Sequence, residues 1–279
     1  MSAIIDGKAL AEEIKQKIAE GILKNNIVPV LAVVLVGNNE ASHIYVKNKK
    51  KTAAEVGMDC RVFELPESSV QKEIEALVDK LNNDKNINGI IVQLPLPRGI
   101  DANNIISLIS PEKDVDGLGV YNAGRLAMGE PNIVAATPKG ILYMLKSAAG
   151  DLTGKNAVVV GRSNIVGRPV SSLLLNSDCT VTIAHSKTKN LQEVAKAADI
   201  IIAACGCPKI IKKDWVKKGA IVIDVGINRI DGKISGDVDF DEVKDIASYI
   251  SPVPGGVGPM TVAMLIDNTY NACLKQLGK

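Results

Sequence analysis

Several classes of protein are excluded by what this chain has little of. Aromatic side chains make up only 3% of it, and aliphatic β-branched residues dominate its apolar content, which favours α/β layers over a sandwich or a coiled coil. No charge of either sign is in excess: 33 basic and 31 acidic residues leave a formal +2, spread along the chain, with no footprint for nucleic acid. The five cysteines (Cys60, Cys179, Cys205, Cys207 and Cys273) form no CxxC pair, and only two histidines accompany them. That argues against structural zinc or any other metal site and against a disulfide framework, so a reducing compartment and small buried thiols are expected. No apolar run approaches the length of a membrane span, and Asp6, Glu12 and Glu13 occupy the region where a leader's apolar stretch would lie. The expectation is a cytoplasmic protein without a membrane partner.

What is present is an alternation of two periods. Helical spacing runs over residues 7–23 through Leu10, Ile14, Ile18 and Ile22, with Asp6 as N-cap. The run VPVLAVVLVG (28–37) reads as a buried strand, 39–56 as a helix, 59–65 as a strand, 69–82 as a helix, and GIIVQLPLP (89–97) as a strand stopped by prolines. A loop-rich passage from Asp101 to Pro138 follows, then a helix over 137–150. Beyond it, strands at 157–160, 180–184, 199–205 and 220–226 alternate with helices at 168–176 and 190–197, and a last helix covers 260–277 with Pro259 at its entry. At 279 residues there is material for two modest domains of α/β class, with parallel sheets, right-handed crossovers and ligands beyond the carboxyl ends of the strands. In the first domain those ends deliver Gly37 and Gln93.

The segment VVVGRSNIVGRP (158–169) is a strand, a Gly-rich turn and a helix start, the arrangement that offers backbone N–H groups to a phosphate. It departs from G-x-G-x-x-G, because Ser163 replaces the middle glycine and Gly167 comes one residue late. The next strand ends in Ala184-His185-Ser186-Lys187-Thr188, without the acid that would hold a ribose 2′-OH. Taken singly, Arg162 and Lys187 read better as solvated surface residues; together beside this turn they suit a 2′-phosphate, hence NADP. DVGINR (224–229) places Gly226 and Ile227 at the same sheet edge, either near the nicotinamide or in an ordinary turn.

In the first domain Tyr45 and Lys49 lie four apart on one helix face. A desolvated lysine there could exchange protons near neutrality, although Lys47, Lys49, Lys50 and Lys51 by themselves read better as a wet face. Gln93 can bind a polar ligand or tie its own turn. PEKDVDG (111–117) holds Asp114 and Asp116, one of which can accept the paired N–H groups of an amino-pyrimidine, or the loop is a structural Asp-Gly turn. PGGVGPMT (254–261) is a bare loop or a backbone cradle.

The segments SHIYVKNKKK, VQLPLP, PEKDVDG, NAGRL, TPKG, GRSNIVGRP, HSKT, DVGINR, GDVDF and PVPGGVGPMTVAML follow one another from near residue 40 to residue 265. In that order they resemble the bifunctional methylenetetrahydrofolate dehydrogenase/methenyltetrahydrofolate cyclohydrolase family. The resemblance implies a catalytic domain over 1–138, completed by the last helix (259–279), a Rossmann-like NADP domain over 139–258, and folate in the cleft between them. It implies that Lys49 is the cyclohydrolase lysine, Tyr45 its partner against the pterin, Gln93 the residue that positions the lysine, and Asp116 the carboxylate that holds the pterin. It implies that Gly161, Arg162 and Ser163 form the phosphate turn, that Ser186 lies near the adenosine ribose and Ile227 beside the nicotinamide, and that Pro254, Gly255 and Gly256 close over the folate. A homodimer is implied as well. Ala136 stands before TPKG where some relatives carry cysteine, so cysteine chemistry is not expected there.

Two other readings compete. A shikimate-type NADP dehydrogenase would account for the fold and the basic cofactor loop, but not for YVKNK, VQLPLP and PGGVGPMT together. A silent nucleotide sensor would have no use for Tyr45, Lys49, Gln93 and Asp116.

Overall fold

A computed structural model describes residues 2–230 and 232–279. In chain order its elements begin with β1 (Ala3–Ile4), α1 (Gly7–Asn25), β2 (Val30–Val36), α2 (Glu40–Glu55), β3 (Asp59–Leu65), α3 (Gln71–Asn83), β4 (Gly89–Val92), α4 (Ala102–Ser107), α5 (Val120–Ala127) and α6 (Ala136–Ala149). They continue with β5 (Asn156–Val160), α7 (Gly167–Leu175), β6 (Thr180–Ala184), α8 (Leu191–Lys196), β7 (Ile200–Ala203), β8 (Ile221–Asp224), β9 (Asn228–Ile230), β10 (Lys233–Ser235), α9 (Phe240–Val243), β11 (Tyr249–Ile250) and α10 (Val257–Gln276). The chain forms two compact units, one of Met1–Ala11 with Thr137–Thr261, the other of Glu12–Ala136 with Val262–Lys279.

The unit of Glu12–Ala136 and Val262–Lys279 is organised by β2. All seven of its residues are buried, as expected of a parallel strand covered on both faces. It pairs in parallel with β3, from Val30↔Asp59 to Val36↔Leu65, and with β4, from Leu31↔Gly89 to Val34↔Val92. Ile74, Val78 and Leu81 of α3, spaced to share one helix face, pack with Val30, Ala32, Val34 and Ile90 in one core cluster. Each such fully buried aliphatic side chain contributes about 1.5–3 kcal/mol. At the carboxyl end of β2 the chain turns through Gly37 (φ +79°), and the Asn39 side chain starts α2 by accepting the Ser42 N–H at 3.0 Å.

Two expectations change here. The strand expected over 89–97 ends at Val92, because Pro95 and Pro97 have no N–H to extend the ladder; the last bond to β2 is Gln93 N–H to Val34 O at 2.9 Å. The passage 101–138, expected to be loop, contains α4 and α5. These helices of six and eight residues are too short for a periodicity to register, and α4 depends on a local cap, Asp101 accepting the N–H groups of Asn103 and Asn104 at 3.0 and 3.1 Å.

The other unit carries a six-stranded sheet in the order β1-β11-β8-β7-β5-β6, parallel throughout. The chain runs from β5 to β6 on one side and returns to β7 on the other, so strand order reverses at β5 and the crevice between β5 and β7 is the switch point where α/β sheets take ligands. Val158, Val160, Ile201, Ala203, Val222 and Ile250 belong to its core. β1 and β11, two residues each, and the antiparallel pair β9–β10 were not expected; strands of two or three residues exist only through their partners. Among the described residues no helix is long and apolar enough to cross a membrane.

Candidate functional site

The four adjacent lysine positions separate in the fold. Lys47, Lys50 and Lys51 are exposed, and Lys51 lies 3.9 Å from Glu55, an ordinary wet-face pairing. Lys49 instead turns inward from α2 toward the end of β4 and is half-buried. Its Nζ donates to Gln93 Oε1 at 2.9 Å, while Gln93 Nε2 donates to the Leu94 carbonyl at 2.7 Å. With the NH₂ end of the amide held by its own turn, the carbonyl end faces the ammonium. Burial lowers the Lys49 pKa, and the negative field of Asp116 opposes that fall only in part. Tyr45, one helical turn earlier on the same face, is 47% exposed.

Asp116 comes from a loop whose shape is set by its neighbours. Asp114, 1% exposed, accepts the N–H groups of Gly117, Leu118 and Gly119 at 3.1, 3.3 and 2.8 Å and Asn122 Nδ2 at 2.9 Å. Gly117 (φ +69°) lies so close to the Ala135 backbone that a Cβ there would be 2.5 Å from its nitrogen. Lys113 Nζ fixes the loop to the end of α3 through the carbonyls of Leu81, Asn82 and Asp84 at 3.1, 2.8 and 2.7 Å. The two aspartates therefore do different work: Asp114 builds the turn, and Asp116 is presented by it. Burial raises the Asp116 pKa, against the pull of Lys49, and the nearby Asp114 charge pushes the same way. Burial thus shifts the two groups in opposite directions, each toward its neutral form.

In the other unit the residues expected to hold a cofactor lie at the carboxyl edge of one sheet. Gly161 (φ +133°) follows β5, donates its N–H to Ala184 O at the end of β6 (2.8 Å), and is pressed against the Ala204 carbonyl beyond β7, leaving no space for a Cβ. Gly167 is pressed in the same way against the Gly161 carbonyl. The irregular glycine spacing thus has a packing cause: the turn closes on itself and on the neighbouring strand. Ser163 accepts the Val166 and Gly167 N–H groups at 3.2 and 3.4 Å, opening α7 from the position where the dinucleotide pattern has glycine. Arg162 and Ser163 are exposed, and so are Ser186 and Lys187. The latter two sit in a turn that His185 and Thr188 hold, His185 N–H donating to Thr188 Oγ1 at 2.9 Å and Lys187 N–H to His185 Nδ1 at 3.1 Å. Ile227, 57% exposed, follows Gly226 past the end of β8. A close-packed glycine turn that carries Arg162 and Ser163, with a second basic, hydroxyl-bearing turn at Ser186 and Lys187, fits a dinucleotide with a 2′-phosphate.

Pro254, Gly255 and Gly256 belong to this same unit. Gly255 has φ +107°, and its carbonyl accepts the Lys8 N–H at 3.0 Å. Gly256 approaches the Pro252 carbonyl closely enough that a Cβ would be 2.5 Å away, and its own carbonyl leaves no room for a side chain at Gly7. The loop is a constrained piece of backbone.

Four side chains that sequence reading did not single out shape these sites: Lys113, Asn122, Asp224 and Asp237. Asp224 and Asp237 sit in DVGINR and GDVDF, and their burial alone distinguishes them from surface acids. The expectation that the cysteines are small buried residues holds for Cys60, Cys179 and Cys273; Cys205 is intermediate, and Cys207 is exposed on the turn after β7.

Comparison with known proteins also finds two parts, with bounds that differ from those of the two units near both ends of the chain. The family model described as "Tetrahydrofolate dehydrogenase/cyclohydrolase, catalytic domain" matches residues 5–116, and "Tetrahydrofolate dehydrogenase/cyclohydrolase, NAD(P)-binding domain" matches residues 135–277. The "Bifunctional protein FolD" of Listeria innocua serovar 6a is 52% identical over 276 residues, covering 98% of this chain and 97% of the relative. Among solved structures, a bifunctional FolD methylenetetrahydrofolate dehydrogenase/cyclohydrolase from Campylobacter jejuni superposes with a TM-score of 0.96 at 47% identity, with 99% of both chains covered. The dehydrogenase-cyclohydrolase of Trypanosoma brucei, solved with NADP cofactor and an inhibitor, superposes with a TM-score of 0.94 at 38% identity, covering 100% of this chain and 99% of that one.

Proposed function

The chain belongs to the tetrahydrofolate dehydrogenase/cyclohydrolase family, and from that premise we propose that Lys49 carries the hydrolytic half of its chemistry while the turn from Gly161 to Ser163 anchors the oxidative half. The activity is NADP-dependent oxidation of 5,10-methylenetetrahydrofolate to 5,10-methenyltetrahydrofolate, followed by hydrolysis to 10-formyltetrahydrofolate. Residues 1–138 with 259–279 form the catalytic domain in this proposal and 139–258 the NADP domain, with the strand Ala3–Ile4 of the first part pairing into the sheet of the second.

The first step asks little of acid–base groups. The N5 and N10 lone pairs of the substrate stabilise positive charge as a hydride leaves the bridging methylene, so the protein mainly supplies position. NADP, when bound, supplies the hydride acceptor. Gly161, Arg162 and Ser163 hold its phosphates, Ser186 its adenosine ribose and Ile227 the nicotinamide end. Pro254, Gly255 and Gly256 offer rigid backbone to the folate.

The second step needs proton transfers. The methenyl product is an electrophilic amidinium that water attacks, and the ring then opens at one nitrogen. Lys49 takes and returns protons in this step because burial holds its pKa down. Gln93 aims its Nζ; Asp116 grips the amino-pyrimidine edge of the pterin, and Tyr45 lies against the ring. The observation that carries this reading is the 2.9 Å bond between Lys49 Nζ and a neutral amide whose other end is already engaged. A carboxylate in that place would hold the lysine charged.

Homodimeric assembly and a cytoplasmic location are proposed with the family; light scattering on the purified chain tests the first. The activity is tested by mixing purified protein with 5,10-methylenetetrahydrofolate and either NADP or NAD while following reduced nicotinamide and methenyl absorbance together. Oxidation with NADP, and slower oxidation with NAD, is expected. No reduction of either cofactor refutes the proposal, and a preference for NAD refutes the roles given to Arg162 and Ser186.

A further inference from the structure

Two carboxylates at the carboxyl edge of the six-stranded sheet have no part in the chemistry described so far. Asp237 is fully buried and Asp224 is 3% exposed. Asp237 Oδ2 accepts the N–H groups of Cys205 and Gly206 at 2.8 and 2.9 Å, and its Oδ1 accepts Asn228 Nδ2 at 2.9 Å. Asp224 Oδ1 accepts the Gly226 and Asp237 N–H groups at 3.0 and 2.8 Å, and Oδ2 accepts that of Val238 at 2.9 Å. The Asp224 N–H donates to Ser251 Oγ at 2.8 Å. Gly226 and Gly236 have no space for a side chain, because the carboxylates of Asp237 and Asp224 fill it.

The segments joined in this way are those that frame the cofactor in the reading above. The Cys205–Gly206 turn continues from Ala204, the residue against which Gly161 packs. Gly226 and Asn228 flank Ile227. Ser251 opens the stretch that runs to Pro254, Gly255 and Gly256. Burying two carboxylates is costly unless their lone pairs are filled, and here they are filled almost wholly by backbone N–H groups from separate loops. A single loop could be closed by a neutral side chain; fixing the spacing between several loops uses an acceptor that takes donors from both sides.

We propose that Asp237, backed by Asp224, is a positioning residue for the dehydrogenase step: its carboxylate sets the distance between the turn after β7 and the Gly226–Asn228 segment, and so places the nicotinamide half of NADP for hydride transfer. The proposal rests on the reading of this unit as the NADP-holding one. Asp237→Asn keeps the volume but turns one acceptor into a donor, so either the Cys205–Gly206 turn or Asn228 loses its partner.

The two activities of one chain separate positioning from mere structural support. The dehydrogenase is measured as a function of NADP concentration, and the cyclohydrolase on methenyltetrahydrofolate without cofactor. For Asp237→Asn the dehydrogenase kcat/KM for NADP should fall by about tenfold or more, the loss of one charge-assisted hydrogen bond, with the cyclohydrolase within about twofold of wild type. Asn228→Ala removes only the hairpin arm of the network and should give the same selectivity with a loss of roughly threefold, beside a modestly lowered melting temperature because Asp237 Oδ1 loses its partner. It decides the question should Asp237→Asn fail to fold. Parallel loss of both activities in a folded variant, or an unchanged dehydrogenase, overturns the proposal. Absence of NADP-dependent oxidation in the wild type would instead remove the underlying reading, and that control is read before either variant.

Discussion

Replacing Gln93 with Glu places a negative charge where Lys49 Nζ now meets a neutral oxygen at 2.9 Å. Two unit charges about 4 Å apart attract by about 4 kcal/mol at an effective dielectric of about 20. Solvent reaching this half-buried position and the desolvation of the new carboxylate cancel part of that, leaving about 1.5–3 kcal/mol in favour of the ammonium. At about 1.4 kcal/mol per power of ten, the amine form falls by roughly ten- to hundredfold at any pH below the lysine's wild-type titration, and by less between that and the new one. The cyclohydrolase rate at neutral pH should fall by the same factor and recover as pH rises, because the charged partner only moves the titration to higher pH. The assay is the decay of methenyl absorbance from about pH 6 to about pH 9, corrected for the uncatalysed reaction, beside the dehydrogenase rate in the same preparation. Gln93→Leu is the control: it loses the aim of Nζ without adding charge, so its rate should fall with no alkaline displacement. A folded Gln93→Glu enzyme with an unchanged pH profile, or one that stays slow at high pH, refutes the role assigned to the neutral amide.

Further outcomes follow from the same geometry. Lys49→Met should reduce the cyclohydrolase below about a hundredth while some NADP-dependent oxidation survives; equal loss of both activities in a variant that still binds folate counts against separate roles. Gly161→Ala sets a Cβ against the Ala204 carbonyl at φ +133°, and should lower stability by about 1–3 kcal/mol and raise the KM for NADP; calorimetry and initial rates check both. Burial pushes the Asp224 carboxyl up to about 6. The folded chain therefore keeps a proton that the unfolded chain releases near pH 4, so the contribution of this group is fully present below about pH 4 and is lost as pH rises through about 6, by up to about 3 kcal/mol. Denaturant titrations at about pH 4.5 and pH 7 should show about 2 kcal/mol of that difference between wild type and Asp224→Asn, and equal pH slopes for the two would refute it.

Local chemistry alone determined a good deal of this molecule. The alternation of buried strands with amphipathic helices, the glycine turn after β5, the missing acid after β6 and the shared face of Tyr45 and Lys49 are all set within a few residues of chain, where periodicity and turn preference act. Short elements were lost for the same reason: α4, α5, β1 and β11 have too few residues for a period, and are held by a cap or by partners far along the chain.

Tertiary structure decided which of several chemically equal residues matter. In the sequence Lys49 stands in a run with Lys47, Lys50 and Lys51; only Gln93, 44 positions away, and burial against the end of β4 make it different. Asp114 and Asp116 are interchangeable as letters, yet one closes a turn and the other is presented by it. Asp237 holds the backbone of residues 31 and 32 positions earlier. Desolvation and hydrogen-bond partnership arise from groups that converge only when the chain is folded, and so charge state and aim, unlike helix and strand, are not written in local pattern.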